Sequence, residues 1–293
     1  MRRRLAPGLP LAAAIASLLA VACAPTEEST QPTPDTGGTD STANACADPQ
    51  TIQPDVLTIA TDTPAFEPWF KGDDPTNAKG YESAVAYAVA KEMGFGADKV
   101  TWTKVPFNSS YQPGPKKFDF DINEISINAK RAGSVTFSDG YYSAAQAIIT
   151  LKDSPYAHAS SFADLKDAQL GAQVGTTSLD AITDTIQPSS QPRVFDDTNI
   201  AKNALQNGSV DGIVADLPTA FFITAVEIPQ GTIVGQFQPE TGQTEEFGLL
   251  FEKGNPLVGC ANQAIATLKD DGTLGDIEDR WLSQVVDVPQ LSP

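Results

Sequence analysis

The sequence has few basic residues. Its 293 residues include 19 Lys and Arg against 37 Asp and Glu, so the formal net charge at pH 7 is −18 and the isoelectric point is near 4.3. Partners that are held by their negative charge, such as nucleic acid or an anionic membrane surface, need a basic face. The composition therefore argues against both and favours an acidic extracytoplasmic protein.

Metal-binding residues are also scarce. The chain has a single histidine, His158, and three cysteines. One histidine and two cysteines, Cys46 and Cys260, do not supply the usual donor set of a zinc site, and the third cysteine, Cys23, lies in the N-terminal segment described next. His158 lies in the polar stretch SPYAHASS, where we expect a loop residue rather than a ligand or a catalytic base. We expect no metal and no cofactor.

Long apolar runs are confined to the N-terminus. Three arginines at positions 2–4 precede an Ala-rich run over residues 9–22 that is too short for a membrane-spanning helix. We interpret residues 1–22 as a secretory signal peptide. The run LLAVAC resembles a lipoprotein box, which implies that Cys23 becomes a lipidated N-terminus. The alternative is an ordinary signal peptide with an incidental Cys23.

The next stretch is polar and low in complexity. Residues 24–44 are mostly Thr, Pro, Glu, Gly and Ser, which bury too little apolar surface to offset the entropy of ordering. We predict a lipidated flexible tether over residues 23–52. With Cys23 lipidated, Cys46 and Cys260 remain as an even pair in an oxidising compartment, which favours a disulfide between them. Two buried free thiols are the alternative.

A length of 293 residues could hold one large domain or two of ordinary size, and an apolar share of 41% is enough for packed cores, so two lobes are plausible. The most informative stretch is Phe118–Tyr142, FDFDINEISINAKRAGSVTFSDGYY, where a buried-looking strand leads through Ser126 to Arg131. A guanidinium after a strand can hold a carboxylate through two parallel hydrogen bonds. The alternative is a surface arginine paired with Asp139 or Glu124.

SINAKR, VTF and SDGYY resemble a segment of the family 3 extracellular solute-binding proteins, which serve polar amino-acid ABC importers. The resemblance extends over about residues 57–282. It implies that Arg131 and Ser126 bind a ligand carboxylate, with a second contact from Thr177 in the turn GTTS. An ordinary helix N-cap is the alternative role for Thr177.

The same resemblance assigns the other site residues. Asp216, at the end of VDGIVAD, matches the acceptor of the ligand ammonium, although it could simply cap the helix that follows. Phe66 and Phe107 match aromatics that cover the ligand, or they could be core residues. Asp62 follows the first strand, and Glu124 stands where family members often have Gly or Ser. We expect these two acids to face the ligand side chain.

The resemblance implies an α/β fold of the type II periplasmic-binding-protein kind, with a ligand cleft between two lobes. We predict lobe 1 over residues 53–146 and 243–287, and lobe 2 over residues 147–242. The expected protein is a monomer, lipid-anchored to the outer face of the cell membrane. It would capture a polar L-amino acid, basic or glutamine in preference, and deliver it to an ABC permease.

Two other classes stay open. Some proteins of this fold are periplasmic dehydratases that use cleft carboxylates as acids and bases, and Glu124 could serve such a reaction. A ligand-sensing receptor ectodomain is the second alternative. Since no signalling domain or spanning helix follows the match, we expect a binding protein and not an enzyme.

Overall fold

A computed structural model describes residues 46, 49–239, 244–282 and 288–292. The strands, in chain order, are β1 (Leu57–Thr61), β2 (Val100–Lys104), β3 (Phe120–Asp121), β4 (Val135–Ala144), β5 (Gln146–Leu151), β6 (Leu170–Gln173), β7 (Arg193–Phe195), β8 (Gly212–Asp216), β9 (Gly231–Phe237) and β10 (Glu245–Glu252). The helices are α1 (Tyr81–Glu92), α2 (Phe107–Ser110), α3 (Ala129–Ala132), α4 (Thr177–Ala181), α5 (Thr198–Gln206), α6 (Leu217–Phe222), α7 (Leu257–Asp270) and α8 (Thr273–Leu282). Wider helical turns continue α4 over Ile182–Ile186 and α6 over Ile223–Glu227. Single helical turns lie at Lys71–Asp73, Pro75–Asn77, Ala97–Lys99 and Ala163–Leu165.

The strands form two sheets that share one plan. The sheet of lobe 1 has the order β2-β1-β3-β10-β4, and that of lobe 2 has the order β7-β6-β8-β5-β9. In each sheet three neighbouring strands run parallel, and a fourth strand, β10 or β5, pairs antiparallel with the third. The two lobes therefore have the same arrangement of strands.

Both sheets are covered on their two faces, which explains the continuous apolar runs in β1 and β5. In lobe 1, α1 and α7 pack on one face around Trp69 and Tyr81, and a smaller cluster that includes Phe107 covers the other. Lobe 2 has two such clusters, one on each side of Ile148 and Ile149. A separate core in each lobe allows the lobes to move as units.

The chain crosses between the lobes from β4 to β5 and again from β9 to β10. This confirms the predicted two-lobed α/β architecture. Residues 288–292 also lie on lobe 2, where Gln290 bridges Gln236 and the side chain of Leu291 is buried. The sequence analysis did not include this return of the chain after α8, because a five-residue tail carries no strand pattern of its own.

A disulfide joins Cys46 to Cys260, as the even pairing predicted. Cys260 is buried in α7. Removing such a cross-link typically costs about 2–5 kcal/mol of folding free energy. Cys23 and the signal peptide lie outside the described residues. Within the described ranges, no helix is long and apolar enough to cross a membrane.

Candidate ligand-binding site

Arg131 lies at the junction of the two lobes. It belongs to the single turn of α3, whose N-cap Asn128 accepts a hydrogen bond from the Arg131 backbone N–H at 2.8 Å. The guanidinium is buried: Nη1 donates to the Ser126 carbonyl of its own lobe at 2.8 Å, and Nη2 donates to the Gly175 carbonyl of lobe 2 at 2.9 Å. Arg131 is therefore not the surface ion-pair residue of the alternative interpretation.

Two aromatic rings flank the guanidinium. Its central carbon lies 5.4 Å from the ring centre of Phe107 and 5.0 Å from that of Tyr111. Ring faces attract a cation and exclude water from it. Burial lowers the pKa of Arg131, although an arginine keeps its charge at physiological pH. The geometry therefore keeps a positive charge in a dry, rigid setting, where a charge-assisted bond is strong.

The turn before α4 brings lobe 2 to this point. Gly175 has a φ of +76°, and a Cβ there would meet the Tyr111 hydroxyl at 2.2 Å, so the close approach requires glycine. Thr176, not Thr177, caps α4 by accepting the Leu179 N–H at 3.2 Å. Thr177 is thereby left to face lobe 1, where its Oγ1 lies 3.2 Å from Ser126 Oγ.

Asp216 ends β8 and precedes α6 without capping it through its side chain. Its Oδ1 accepts a bond from Gln146 Nε2 at 2.8 Å, and the same nitrogen donates to Glu245 Oε2 at 2.8 Å. The side-chain oxygen Oε1 of Gln146 accepts a hydrogen bond from Ser178 Oγ at 2.6 Å. The fully buried Gln146 thus joins Asp216 to the crossing strand β10 and to helix α4.

The lobes meet over a cavity of about 50 Å³. Six of the eight predicted ligand residues line it, namely Asp62, Phe66, Phe107, Glu124, Thr177 and Asp216. Ser126 and Arg131 lie beside it, through the Ser126–Thr177 contact and the Arg131–Phe107 contact. All eight predicted residues are therefore brought together. A larger groove of about 600 Å³ shares Thr177 with this cavity.

Comparison with known proteins places this geometry in a family. Residues 57–284 match the bacterial extracellular solute-binding proteins, family 3. The chain belongs to this family.

Relatives of this family 3 protein include two from Escherichia coli (strain K12). The ABC transporter arginine-binding protein 1 is 28% identical over 208 residues, which are 70% of this chain and 82% of the relative. The L-cystine-binding protein TcyJ is 27% identical over 216 residues, 72% of this chain and 77% of the relative. Among solved structures, an ancestral arginine-binding protein bound to glutamine is 30% identical, with a TM-score of 0.65, and the match covers 78% of this chain and 98% of that one.

These comparisons confirm the family and the type II periplasmic-binding-protein fold. They establish that relatives of this chain are amino-acid-binding proteins, among them components of ABC transporters. Members of this family are extracellular by their description.

The site also contains residues that the sequence analysis missed. Asn123, Gln173, Thr176, Ser178, Thr198 and Thr219 line the same cavity. Thr176 and Ser178 belong to the GTTS turn, of which the sequence analysis predicted only Thr177 as a ligand residue. Thr219 lies three residues after the predicted Asp216. Tyr111 lies in the stretch SYQPGPKK, which contains none of the motifs that identified the predicted site residues.

Acidic residues dominate the surroundings of the cavity. Burial raises the pKa of Glu82, Asp121, Glu124 and Asp216 above the usual carboxyl range, and it raises that of the half-buried Asp62 in the same direction. A buried carboxylate is costly unless a cation or several donors face it. The site therefore favours a ligand that brings positive charge or hydrogen-bond donors. Among the residues the structure describes, no cluster of His, Cys, Asp and Glu could hold a metal ion.

Proposed function

We propose that the protein captures a polar L-amino acid in the cleft between its lobes and delivers it to an ABC permease. The observation that carries the proposal is Arg131, a buried cation that already bridges Ser126 of lobe 1 and Gly175 of lobe 2. A ligand α-carboxylate at this point would take charge-assisted bonds from the guanidinium and hydroxyl bonds from Ser126 and Thr177.

The opposite end of the ligand backbone is assigned to Asp216. Its carboxyl group lines the cavity and is positioned by Gln146 rather than used as a helix cap. An α-ammonium there would compensate the buried negative charge. Arg131 and Asp216 recognise groups that all amino acids share, so selectivity comes from other residues.

The side-chain end of the cavity is assigned to Asp62, Glu124, Phe66 and Phe107, which all line it. Two carboxyl groups attract a cation or an amide donor and repel a further carboxylate. We therefore rank basic amino acids and glutamine ahead of glutamate. The relatives named for arginine and for cystine, and the ancestral protein bound to glutamine, show that family members differ in this part of the ligand.

Closure of the lobes supplies the mechanism of capture. Contacts between Ser126 and Thr177, and between Trp69 and Thr219 at 2.8 Å, form only when the lobes approach. A ligand held from both sides binds the closed form better than the open form and shifts the population toward it. The closed form then presents its surface to the permease and releases the ligand unchanged.

The proposed location is the outer face of the cell membrane. Lipid on Cys23 would hold the protein there, and residues 24–44 would give the domain its reach. We propose a monomer, since each chain contains a complete cleft.

Native mass spectrometry of protein purified without denaturation tests this function. The expected result is a bound L-amino acid of unchanged mass, which is lost when Arg131 is replaced by Ala. A protein that binds none of the twenty amino acids, or that returns a chemically altered ligand, contradicts the proposal.

A further inference from the structure

Glu124 has an unusual position in the wall of the cavity. Its φ is +50°, in the left-handed region that favours glycine. Its backbone N–H is held by Glu82 Oε1 at 2.7 Å. Although the residue is partly exposed, its Oε1 is buried and has no partner among the described residues. Glu124 therefore keeps an acceptor oxygen without a donor, at a backbone conformation that glycine would adopt with less strain.

The second acid, Glu82, lies in the first turn of α1 and is completely buried. Its Oε1 accepts from the Tyr141 hydroxyl as well as from the Glu124 N–H, whereas its Oε2 has no partner in the described part of the chain. The two carboxyl groups are linked through one backbone bond, and each keeps a buried oxygen without a donor. Such a pair resists carrying two negative charges.

A third observation points to a missing ligand group. Asn123, next to Glu124, is 6% exposed and lines the cavity, and its side-chain nitrogen has no partner in the region that the structure describes. A buried amide donor beside a buried acceptor is normally satisfied in a native protein. The wall at residues 123–124 therefore lacks a polar group that a ligand side chain would supply.

Charged and titratable groups from several elements act either on the pair or on its immediate neighbours. They are Asp62 after β1, Tyr81 in α1, Asp121 in β3 with Lys116 near it, Arg131 in α3, Tyr141 and Tyr142 in β4, Asp216 before α6, Glu245 in β10 and Glu278 in α8. Burial, followed by the charges of Glu82, Asp216 and Asp62, raises the pKa of Glu124. Burial likewise raises the pKa of Glu82, so both shifts favour a proton on the pair when no cation is present.

We infer that the Glu82–Glu124 pair makes the capture of a cationic amino acid an exchange of that side chain for a proton. This inference rests on the proposed function. When a guanidinium or ammonium group enters beside Glu124, the ionised form of the pair becomes the stable form, and one proton leaves to solvent. A neutral amide side chain accepts or donates a hydrogen bond to the protonated pair and leaves the proton in place.

A comparison of L-arginine with L-glutamine separates proton release at the Glu82–Glu124 pair from proton release elsewhere in the site. Arg131 and Asp216 meet the same carboxylate and ammonium in every amino acid, so protons that they exchange are common to all ligands. The difference in proton release between L-arginine and L-glutamine reports the side-chain end alone. By linkage, the affinity for arginine rises with pH by up to about tenfold per pH unit below the raised pKa of the pair, and the affinity for glutamine does not follow it.

Titration calorimetry at pH 7 in phosphate and in Tris, which differ in ionisation enthalpy, counts the protons. In the wild type we expect L-arginine to release up to about one proton more than L-glutamine. In Glu124→Gln we expect this difference to disappear. Glu92→Gln, an exposed acid on the same helix as Glu82, is the matched control and keeps the wild-type difference. If Glu124→Gln fails to fold, Glu124→Gly removes the same carboxyl group and suits the left-handed backbone.

Equal proton release by the two ligands in the wild type would overturn the inference while leaving the proposed function intact. So would a difference that survives in Glu124→Gln, or binding of L-glutamine without any binding of L-arginine. A protein that binds no amino acid at all overturns the proposed function, and the inference fails with it.

Discussion

The indole N–H of Trp69 in lobe 1 donates to Thr219 Oγ1 in lobe 2 at 2.8 Å, and both side chains are buried. Trp69 is held in place by edge-on contacts with Tyr81, Tyr142 and Phe247, whose ring centres lie 5.5–5.9 Å from that of Trp69. One bond thus connects the aromatic core of lobe 1 to the helix that follows Asp216.

Replacement of Thr219 by Val removes this bond without a large change in volume. A buried hydrogen bond contributes about 0.5–1.5 kcal/mol, so closure and ligand affinity should fall by roughly 2- to 12-fold. Calorimetry with L-arginine or L-glutamine measures the effect. Thr224→Val is the control, because the Thr224 hydroxyl bonds to Ala220 and Phe221 within lobe 2. Equal losses in the two variants would show that the bond between the lobes is irrelevant to binding.

Replacement of Gly175 by Ala should prevent the lobes from meeting. The new Cβ would lie 2.2 Å from the Tyr111 hydroxyl, and the φ of +76° adds about 1–2 kcal/mol of backbone strain. We expect ligand affinity to fall by roughly tenfold or more. Gly254→Ala has the same strain, at a φ of +77°, with nothing within 4 Å, and should lose stability without losing affinity.

A second variant isolates the clash. Tyr111→Phe removes the hydroxyl that the Cβ would meet, so the double variant should recover part of the affinity that Gly175→Ala loses. Affinity that stays at the level of Gly175→Ala would mean that the strained turn itself is responsible.

The ligand-free protein should be more stable at pH 5 than at pH 8. Burial raises the pKa of Asp121 to about 7. A carboxyl group with a raised folded-state pKa contributes stability that is present below its unfolded pKa near 4 and is lost as the pH rises through the folded value. The free energy of unfolding should fall by on the order of a few kcal/mol between these pH values. The pKa values of Glu82 and Glu124 are also raised by burial, so these two acids likewise make the folded protein less stable as the pH rises.

Thermal melts between pH 5 and pH 8 test this dependence. Asp121→Asn should flatten part of it, whereas Asp98→Asn, an exposed acid in the same lobe, should not. A melting temperature that rises steadily from pH 5 to pH 8 would contradict the expected sign.

Cys23 gives the prediction for location. Without a thiol there is no site for lipid, so Cys23→Ser protein should appear in the culture medium. Thr26→Ser, three residues further along the proposed tether, should stay with the cells. Immunoblots of the cell and medium fractions measure both, and retention of Cys23→Ser on the cells would mean that another feature holds the protein.

The sequence predicts the site where one short motif contains the partners. Ser126 and Arg131 are five residues apart, and their backbone and side-chain bonds follow from one turn and one helix start. The disulfide between Cys46 and Cys260 could likewise be predicted from the even number of cysteines that remain and from the oxidising compartment. These signals are local or compositional, so they can be read without a structure.

Contacts between the lobes could not be predicted in this way. Trp69 and Thr219 are 150 residues apart, and nothing near either residue identifies the other. Gln146 enters the sequence analysis only as the boundary of lobe 1, and no local pattern predicts that its buried amide positions Asp216 and Glu245. The bond that the Glu124 backbone N–H donates to Glu82 joins residues that lie 42 positions apart. These long-range hydrogen bonds depend on how the two sheets pack against each other, and the hydrophobic periodicity of the sequence carries no information about that packing.

The anchoring role of Arg131 is tested most directly by titration calorimetry on wild type and Arg131→Ala, with whichever of L-arginine and L-glutamine binds more tightly. A lost charge-assisted pair in a desolvated site costs about 2–5 kcal/mol, so affinity should fall by roughly 30-fold to several thousand-fold. Arg193→Ala, at an exposed position in β7, should bind as the wild type does. Equal affinity in Arg131→Ala and wild type would contradict the proposed anchor.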